Sequence, residues 1–294
     1  MKRLKSLLIL YLATAVLFAA CGTETVSSAA QPTPTPIPTP TPISFEADRY
    51  HISVQDGVIR IVDTASEGSV ELPLSEQTLE KTGDGDTDGR DIAESSYYLD
   101  ENTFAFVGGE LVAFFGRVSH DGGESWISVN CQTGVGQIRR CCVDFWSASE
   151  GVVAVGGDRM NVSEYKELFF TADGGASWQQ QPIEGTLSSR LLNGVTFADR
   201  MHGILSLDVP NDAPEYWYTE DGGATFRQLE FPLPGFEGSY YLKADSLRID
   251  PESGEWTLIL GQGEYGRRKA KLTSPDGVNW SYEGTGEKPA PWLG

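Results

Sequence analysis

From Ile43 onward the chain is written in short apolar runs broken by glycine and acidic turns. Phe104-Ala105-Phe106-Val107, Val152-Val153-Ala154-Val155, Ile204-Leu205 and the stretch from Trp256 to Leu260 recur at regular intervals. Each has an apolar lead-in: Tyr97-Tyr98, Phe145, Phe197 and Leu247-Arg248-Ile249 respectively. In the two middle cases Glu150-Gly151 and His202-Gly203 stand just before the run. Runs this short, bounded by turn residues, predict β-strands rather than helices. Their continuity, without polar alternation, predicts strands covered on both faces. Each unit reads as strand, strand, strand, acidic turn, strand.

The acidic turn is the clearest signal. Ser119-His120-Asp121-Gly122-Gly123-Glu124-Ser125-Trp126 is the first copy and Thr171-Ala172-Asp173-Gly174-Gly175-Ala176-Ser177-Trp178 the second. Thr219-Glu220-Asp221-Gly222-Gly223-Ala224-Thr225-Phe226 is the third, and Ser274-Pro275-Asp276-Gly277-Val278-Asn279-Trp280 a fourth, one residue shorter. Aspartate follows aspartate at spacings of 52, 48 and 55 residues. Glycine accepts positive φ without steric cost, so Asp-Gly between strands predicts a hairpin. The aspartate can accept bonds from the amides that follow it, with the preceding Ser or Thr joining the same turn. Trp126, Trp178, Phe226 and Trp280 then supply a large apolar plug. A charge-assisted bond of this type contributes roughly 1.5–3 kcal/mol.

These residues resemble the Asp-box, or BNR repeat, of sialidases, sortilin-type propellers and the photosystem II assembly-factor family. The resemblance covers most of residues 94–284. It implies a turn on the blade rim with a structural role, away from the face that meets ligands. A period near 50 residues suits a four-stranded propeller blade. The expected fold is therefore all-β: a β-propeller of four-stranded antiparallel blades over residues 44–294, about five in number, with six or seven as alternatives and a β-sandwich or β-solenoid as the competing architectures. The first period, Tyr50 to Leu72, carries Asp63-Thr64-Ala65-Ser66-Glu67-Gly68 as an eroded turn.

Ahead of this domain the pattern is different. Lys2, Arg3 and Lys5 precede an apolar stretch, Ser6 to Phe18, too short for a comfortable membrane span. Ala19-Ala20-Cys21-Gly22 follows and resembles the bacterial lipobox, with Phe18 where that family usually has Leu. The resemblance implies a signal peptide over residues 1–20 and a diacylglycerol on Cys21; an ordinary signal peptide cut after Ala20 is the alternative. Residues 21–43 form a linker in which Pro32, Pro34, Pro36, Pro38, Pro40 and Pro42 alternate with other residues. Such spacing removes amide donors and fixes φ, so a polyproline II spacer of about 40 Å is expected.

Charge narrows the partners. The chain carries a net charge of −20, near −23 once the three basic leader residues are gone. Such a surface repels phosphate backbones and anionic headgroups, which argues against nucleic acid and leaves the lipid as the means of membrane attachment. With three histidines in the chain, no His/Cys grouping has zinc-ligand spacing.

Several residues are candidates for chemistry. The sialidase resemblance implies an arginine clamp and a Tyr/Glu nucleophile pair; Glu215-Tyr216 and Glu264-Tyr265 have the residue types, and Arg60-Ile61-Val62 departs at its third position from that family's Arg-Ile-Pro signature. The assembly-factor family is closer in style, sharing the aromatic strand ahead of glycine and the Thr-x-Asp-Gly-Gly-x-Ser-Trp hairpin, and its members are protein-binding scaffolds. Asp84, Asp86 and Asp88, with glycine between and after, resemble the first half of a calcium loop, although Glu94 falls one position early to complete an EF-hand. A solvated acidic loop is the other reading of that segment. Cys131 is placed to bridge to Cys141 or Cys142, closing a loop of about ten residues that stabilises by roughly 2–3 kcal/mol. Arg139-Arg140, beside those thiols, is a rare basic spot. Tyr216-Trp217-Tyr218, Tyr240-Tyr241 and Tyr265 with Arg267-Arg268 are contact candidates by residue type.

The expectation is a non-catalytic, lipid-anchored scaffold on the extracytoplasmic side of the cell membrane. Its partner would be a protein, no cofactor would be required, and calcium is a candidate. A carbohydrate-binding or sialidase-like glycoside hydrolase propeller is the alternative.

Overall fold

The computed structural model describes residues 42–75, 94–160, 163–183, 187, 190–208, 213–233, 241, 243–262 and 267–289. Cys21, most of the linker, and Asp84, Asp86 and Asp88 lie outside them, as do Tyr240 and Glu264-Tyr265. Among the described residues no helix is long and apolar enough to cross a membrane.

The fold is a five-bladed β-propeller, each blade an antiparallel meander in chain order. Blade 1 holds β1 (Tyr50–Gln55), β2 (Val58–Asp63) and β3 (Ser69–Ser75). Blade 2 holds β4 (Tyr97–Leu99), β5 (Phe104–Glu110), β6 (Ala113–Ser119) and β7 (Ile127–Gln132). Blade 3 holds β8 (Ile138–Phe145), β9 (Gly151–Met160), β10 (Ser163–Thr171) and β11 (Gln179–Gln181). Blade 4 holds β12 (Leu191–Phe197), β13 (Gly203–Asp208), β14 (Glu215–Thr219) and β15 (Arg227–Leu229). Blade 5 holds β16 (Lys243–Ile249), β17 (Trp256–Gly261), β18 (Arg268–Ser274) and β19 (Ser281–Glu287). Four strands per blade holds for blades 2 to 5; blade 1 shows three among the described residues.

The continuous apolar runs do what their pattern requires. In β9, Val153 and Val155 pack toward blade 2, in one core with Phe114, Val118 and Phe145. Val152 and Ala154, the alternate residues, pack toward blade 4 with Leu192, Phe197 and Leu205. The two-residue period of a strand thus feeds two cores at once. Similar apolar cores join blade 1 to blade 2 around Ile59, Ile61, Phe104 and Phe106, and blade 4 to blade 5 around Ile204, Tyr216, Leu258 and Leu272. Each fully buried side chain of this size contributes about 1.5–3 kcal/mol.

The glycines before the runs now have a reason. Gly151 pairs with Phe145, and Gly203 with Phe197, across the first two strands of their blades. A Cβ on Gly203 would stand 2.4 Å from the Phe197 ring, and one on Gly151 would stand 2.7 Å from the Phe145 ring. The rings lie over bare backbone because nothing larger than hydrogen fits beneath them.

Candidate functional site: the turn face and the propeller axis

Each of the four acidic turns joins the third and fourth strands of its blade, and those of blades 2, 3 and 4 share one geometry. In blade 3, Thr171 Oγ1 donates to Asp173 Oδ1 at 2.9 Å and accepts from the Gly175 amide at 2.8 Å. Ser177 donates its amide to Asp173 Oδ1 at 2.8 Å and its hydroxyl to Oδ2 at 2.6 Å. Ser119, Asp121, Gly123 and Ser125 repeat this in blade 2, and Thr219, Asp221, Gly223 and Thr225 in blade 4. The shortened turn of blade 5 reaches the same end differently, with Asn279 donating its amide and side chain to Asp276 at 2.7 and 2.6 Å. The second glycines, Gly123, Gly175 and Gly223, sit at φ of 89, 92 and 88°, which favours glycine. Trp126, Trp178, Phe226 and Trp280 each pack into the core shared with the preceding blade. The turns are therefore clasps between blades: Asp121, Asp173 and Asp276 are exposed and Asp221 half-buried, while Trp280 is buried and Trp126, Trp178 and Phe226 half-buried against their cores.

Those bonds favour the carboxylates. The Ser125 hydroxyl and amide hold Asp121 down to about 2, and the Ser177 hydroxyl and amide hold Asp173 below its ordinary value. For Asp276 the Asn279 amide and side chain lead the same lowering. In Asp221 desolvation opposes, and the Thr225 bonds outweigh it. A folded value below the unfolded one near 3.9 means that stability is fully present above about pH 4 and is lost as pH falls toward 2. We expect Asp173→Asn, which cannot titrate, to melt below wild type at pH 6, with the gap narrowing by pH 2. Melting curves across that range check this; a gap independent of pH would contradict it.

At the axis, the first strands of blades 2 to 5 bring equivalent positions together: Tyr98, Asp144, Thr196 and Arg248. Asp144, 2% exposed, accepts from Thr196 Oγ1 at 2.8 Å and from the Phe197 amide at 2.9 Å. Its other oxygen takes Arg248 Nη2 at 2.9 Å. Arg248 also donates to the carbonyls of Phe145, Phe197 and Leu247, and its guanidinium lies 6.0 Å from the centre of the Tyr98 ring. The Thr196 hydroxyl accepts the Leu247 amide at 2.9 Å. One arginine and one aspartate thus plug the axis with a neutral, hydrogen-bonded knot.

Other buried charges are spent in the same manner. Glu164, 1% exposed, takes Arg139 Nε at 2.8 Å and also accepts the Leu192 amide. Lys166 donates to the carbonyls of Leu187 at 2.6 Å and of Arg190. Burial lowers its pKa to about 8. Asp245 is paired with Lys269 at 2.5 Å.

Several sequence expectations are corrected here. Cys131, Cys141 and Cys142 are free thiols, so neither expected bridge is formed. Adjacent strand residues point to opposite faces, and Cys141 enters the core between blades 2 and 3 while Cys142 enters that between blades 3 and 4. Burial raises all three thiol pKa values, the opposite of an activated cysteine. Arg139-Arg140 is no surface patch: Arg139 is the partner of Glu164, and the buried Arg140 donates to Ser95 Oγ at 3.0 Å. Glu215 and Tyr216 do not act as a pair. Glu215 bridges Arg190 at 3.0 Å and Trp217 Nε1 at 2.9 Å, whereas Tyr216 is buried on the other face and donates to the Tyr241 carbonyl. Tyr218 and Tyr241 are likewise core residues. Exposed apolar residues that no sequence pattern marks include Leu111 and Val112 at the β5–β6 turn, Tyr165 on β10, and Met201. Among the described residues no group of three or more His, Cys, Asp or Glu is placed to hold a metal ion.

A cavity of about 440 Å³ opens where blade 5 meets the chain leading into blade 1. Its walls include Phe45, Arg49, Leu99, Asp245, Ile259 and Lys288.

No family model matches the chain, and no curated protein does. Among solved structures it is similar to a GH74 xyloglucanase from Xanthomonas campestris, at 13% identity and a TM-score of 0.37, over 77% of this chain and 42% of that one. A GH43 protein from Bacillus licheniformis is similar at 9% identity and 0.41, over 65% and 41%. YCF48 bound to a D1 peptide is similar at 16% identity and 0.39, over 83% and 67%. This chain thus spans about two fifths of the length of the first two. Similarity at this level transfers no residue roles, and what stands is the five-bladed propeller itself.

Proposed function

We propose that this protein is a non-catalytic binding scaffold, held on the extracytoplasmic side of a membrane by a lipid on Cys21, with a protein as its partner. The observation that carries the reading is the state of the inner charges. Arg248 is committed to Asp144, Arg139 to Glu164, and Lys269 to Asp245. A glycosidase of the sialidase type needs arginines free to clamp a substrate carboxylate and carboxyl groups free to move protons. Here Arg248 and Asp144 tie blade 5 to blade 3, Arg139 and Glu164 both bond the Leu192 backbone of blade 4, and Lys269 and Asp245 pair within blade 5. The acidic turns resemble the Asp-box in sequence and are built as structural clasps, in keeping with a scaffold. The spent charges leave loops and exposed edges to meet a partner. The acidic surface favours a partner with basic contacts and disfavours anionic lipid, which leaves the attachment to the lipid chain.

Two measurements test this together. Labelled palmitate should enter the wild-type chain and not Cys21→Ala, and the variant should leave the membrane fraction. Crosslinking on intact cells should then join the wild-type domain to one protein at fixed stoichiometry. Hydrolysis of a fluorogenic sialoside or xyloside by the purified protein would overturn the scaffold reading, and specific retention of a glycan on an array would move it to carbohydrate binding.

A further inference from the structure

Blade 1 differs from the others in a specific way. In blades 2 to 5 the acidic turn joins the third strand to the fourth. In blade 1 the corresponding turn, Asp63 to Gly68, joins β2 to β3: the Asp63 amide donates to the Gly68 carbonyl at 2.9 Å, and Asp63 Oδ1 takes the Ala65 amide at 2.9 Å. So β2 and β3 hold the third and fourth positions and β1 the second. The innermost position carries no strand among the described residues. The segment that precedes β1 is engaged elsewhere. The Ile43 amide donates to Thr285 of β19 at 3.0 Å, and Asp48 pairs with Lys288 at 2.5 Å.

The seam that results is unlike the other four blade contacts. No apolar core among the described residues joins blade 5 to blade 1. The face of blade 5 turned away from blade 4 presents Thr257, Ile259, Lys271 and Thr273, all half-buried, where the other blades present mainly buried apolar and aromatic side chains. The 440 Å³ cavity lies along this seam.

The edge of β1 is built to accept a strand. Asp56 and Gly57, at φ of 53 and 74°, form the two-residue turn to β2, so Gln55 and Val58 close the hairpin as a hydrogen-bonded pair. Alternation then points the backbone groups of Ile52 and Val54 away from β2, toward the seam. An edge strand that has no neighbour on one side among the described residues is a template for another strand. Charge selects the occupant. The cavity walls carry Glu46, Asp48, Asp100, Glu101 and Asp245 against Arg49, Lys269 and Lys288. Each of those three bases is already paired with an acid, so the surplus is negative.

We propose that the seam between blades 5 and 1 is a strand-acceptor site. An extended, basic segment of a partner protein pairs antiparallel with the inner edge of β1 and completes blade 1 as its fourth strand. This rests on the scaffold reading for its biological purpose, but its test does not depend on that reading.

The probe is a fluorescent octapeptide, Arg-Val-Lys-Val-Thr-Ile-Lys-Val, titrated into the full-length protein by anisotropy. We expect saturable one-to-one binding, at least tenfold weaker for a version with Glu in place of each base. Val54→Pro removes an outward amide and no ladder bond; because Val54 also packs against the core shared with blade 2, Val54→Ala is its control, and the folded proline variant should lose the peptide while the alanine variant keeps it. Hydrogen exchange gives a readout that needs no variant: the Ile52 and Val54 amides should exchange fast alone and slow on binding. Absent binding, equal binding of the acidic peptide, or binding that survives in a folded Val54→Pro would each overturn the proposal. So would self-association of the protein that is lost in Val54→Pro, which would assign the edge to a second copy. Turnover of a glycoside would sink the scaffold reading while leaving these peptide results standing.

Discussion

Asp144→Ala is expected to destabilise the propeller by about 3 kcal/mol, the lower end of what removing one partner of a buried ion pair costs. The lower end applies because the Arg248 side chain keeps a third of its area in water, at 33% exposure against 3% for Asp144. The single carboxylate serves three blades: its own, blade 4 through the Thr196 hydroxyl and the Phe197 amide, and blade 5 through Arg248. Its loss leaves a guanidinium with carbonyl partners but no counter-charge. For a domain of this size 1 kcal/mol moves the midpoint by about 2–4 °C, so a fall near 10 °C is the expected melting result. The double variant Asp144→Leu with Arg248→Met removes the charge along with its partner and should recover most of that loss. Denaturant titrations of the three proteins measure both effects. A single variant within 1 kcal/mol of wild type would show that the axis is held by something else.

The second large effect sits at the residue after Thr196. Phe197 is fully buried, in edge contact with Phe170 at 5.2 Å, with Trp146 tilted beside it at 6.0 Å. Truncation to Ala should cost about 3–5 kcal/mol through lost contact and a cavity. Gly203→Ala should cost about 1–3 kcal/mol for the opposite reason, since its methyl would press into the same ring. The two changes should not add. In the double variant the new methyl enters space the ring has left, and a coupling of about 1–3 kcal/mol in favour of the pair is expected from a double-mutant cycle. Additive values would mean that the ring does not sit over Gly203.

The blade repeat was legible because its determinants recur as the same residue types: an acid, two glycines, a hydroxyl and a ring. The spacing from Phe197 to Gly203 was visible too, but its cause appears only once the strands are paired and the ring is seen against the backbone. The axial knot was not legible at all. It takes one equivalent position from each of four blades, yet those positions hold Tyr, Asp, Thr and Arg. Four residue types in four repeats leave no periodic trace. The cysteines misled for a related reason: closeness along the chain suggested a bridge from Cys131, whereas Cys131 and Cys141 meet the core between blades 2 and 3 as free thiols and the alternation of β8 sends Cys142 into the next core. Blade 1 was read as a worn copy of the others. Its turn is indeed worn, but the innermost strand that the described residues lack is a matter of pairing, which composition does not record.

An open seam also changes how the molecule shares load. A ring closed by five equivalent cores has no first element to yield. Among the described residues four cores connect five blades in a row, and the row is latched back on itself by the Ile43–Thr285 bond and the Asp48–Lys288 pair. Such an array behaves as a chain of dominoes with two free ends, so stability is greatest in the middle blades and fraying starts at the outermost ones. The acidic clasp of blade 3, flanked by a core on each side, belongs to the part that lets go last.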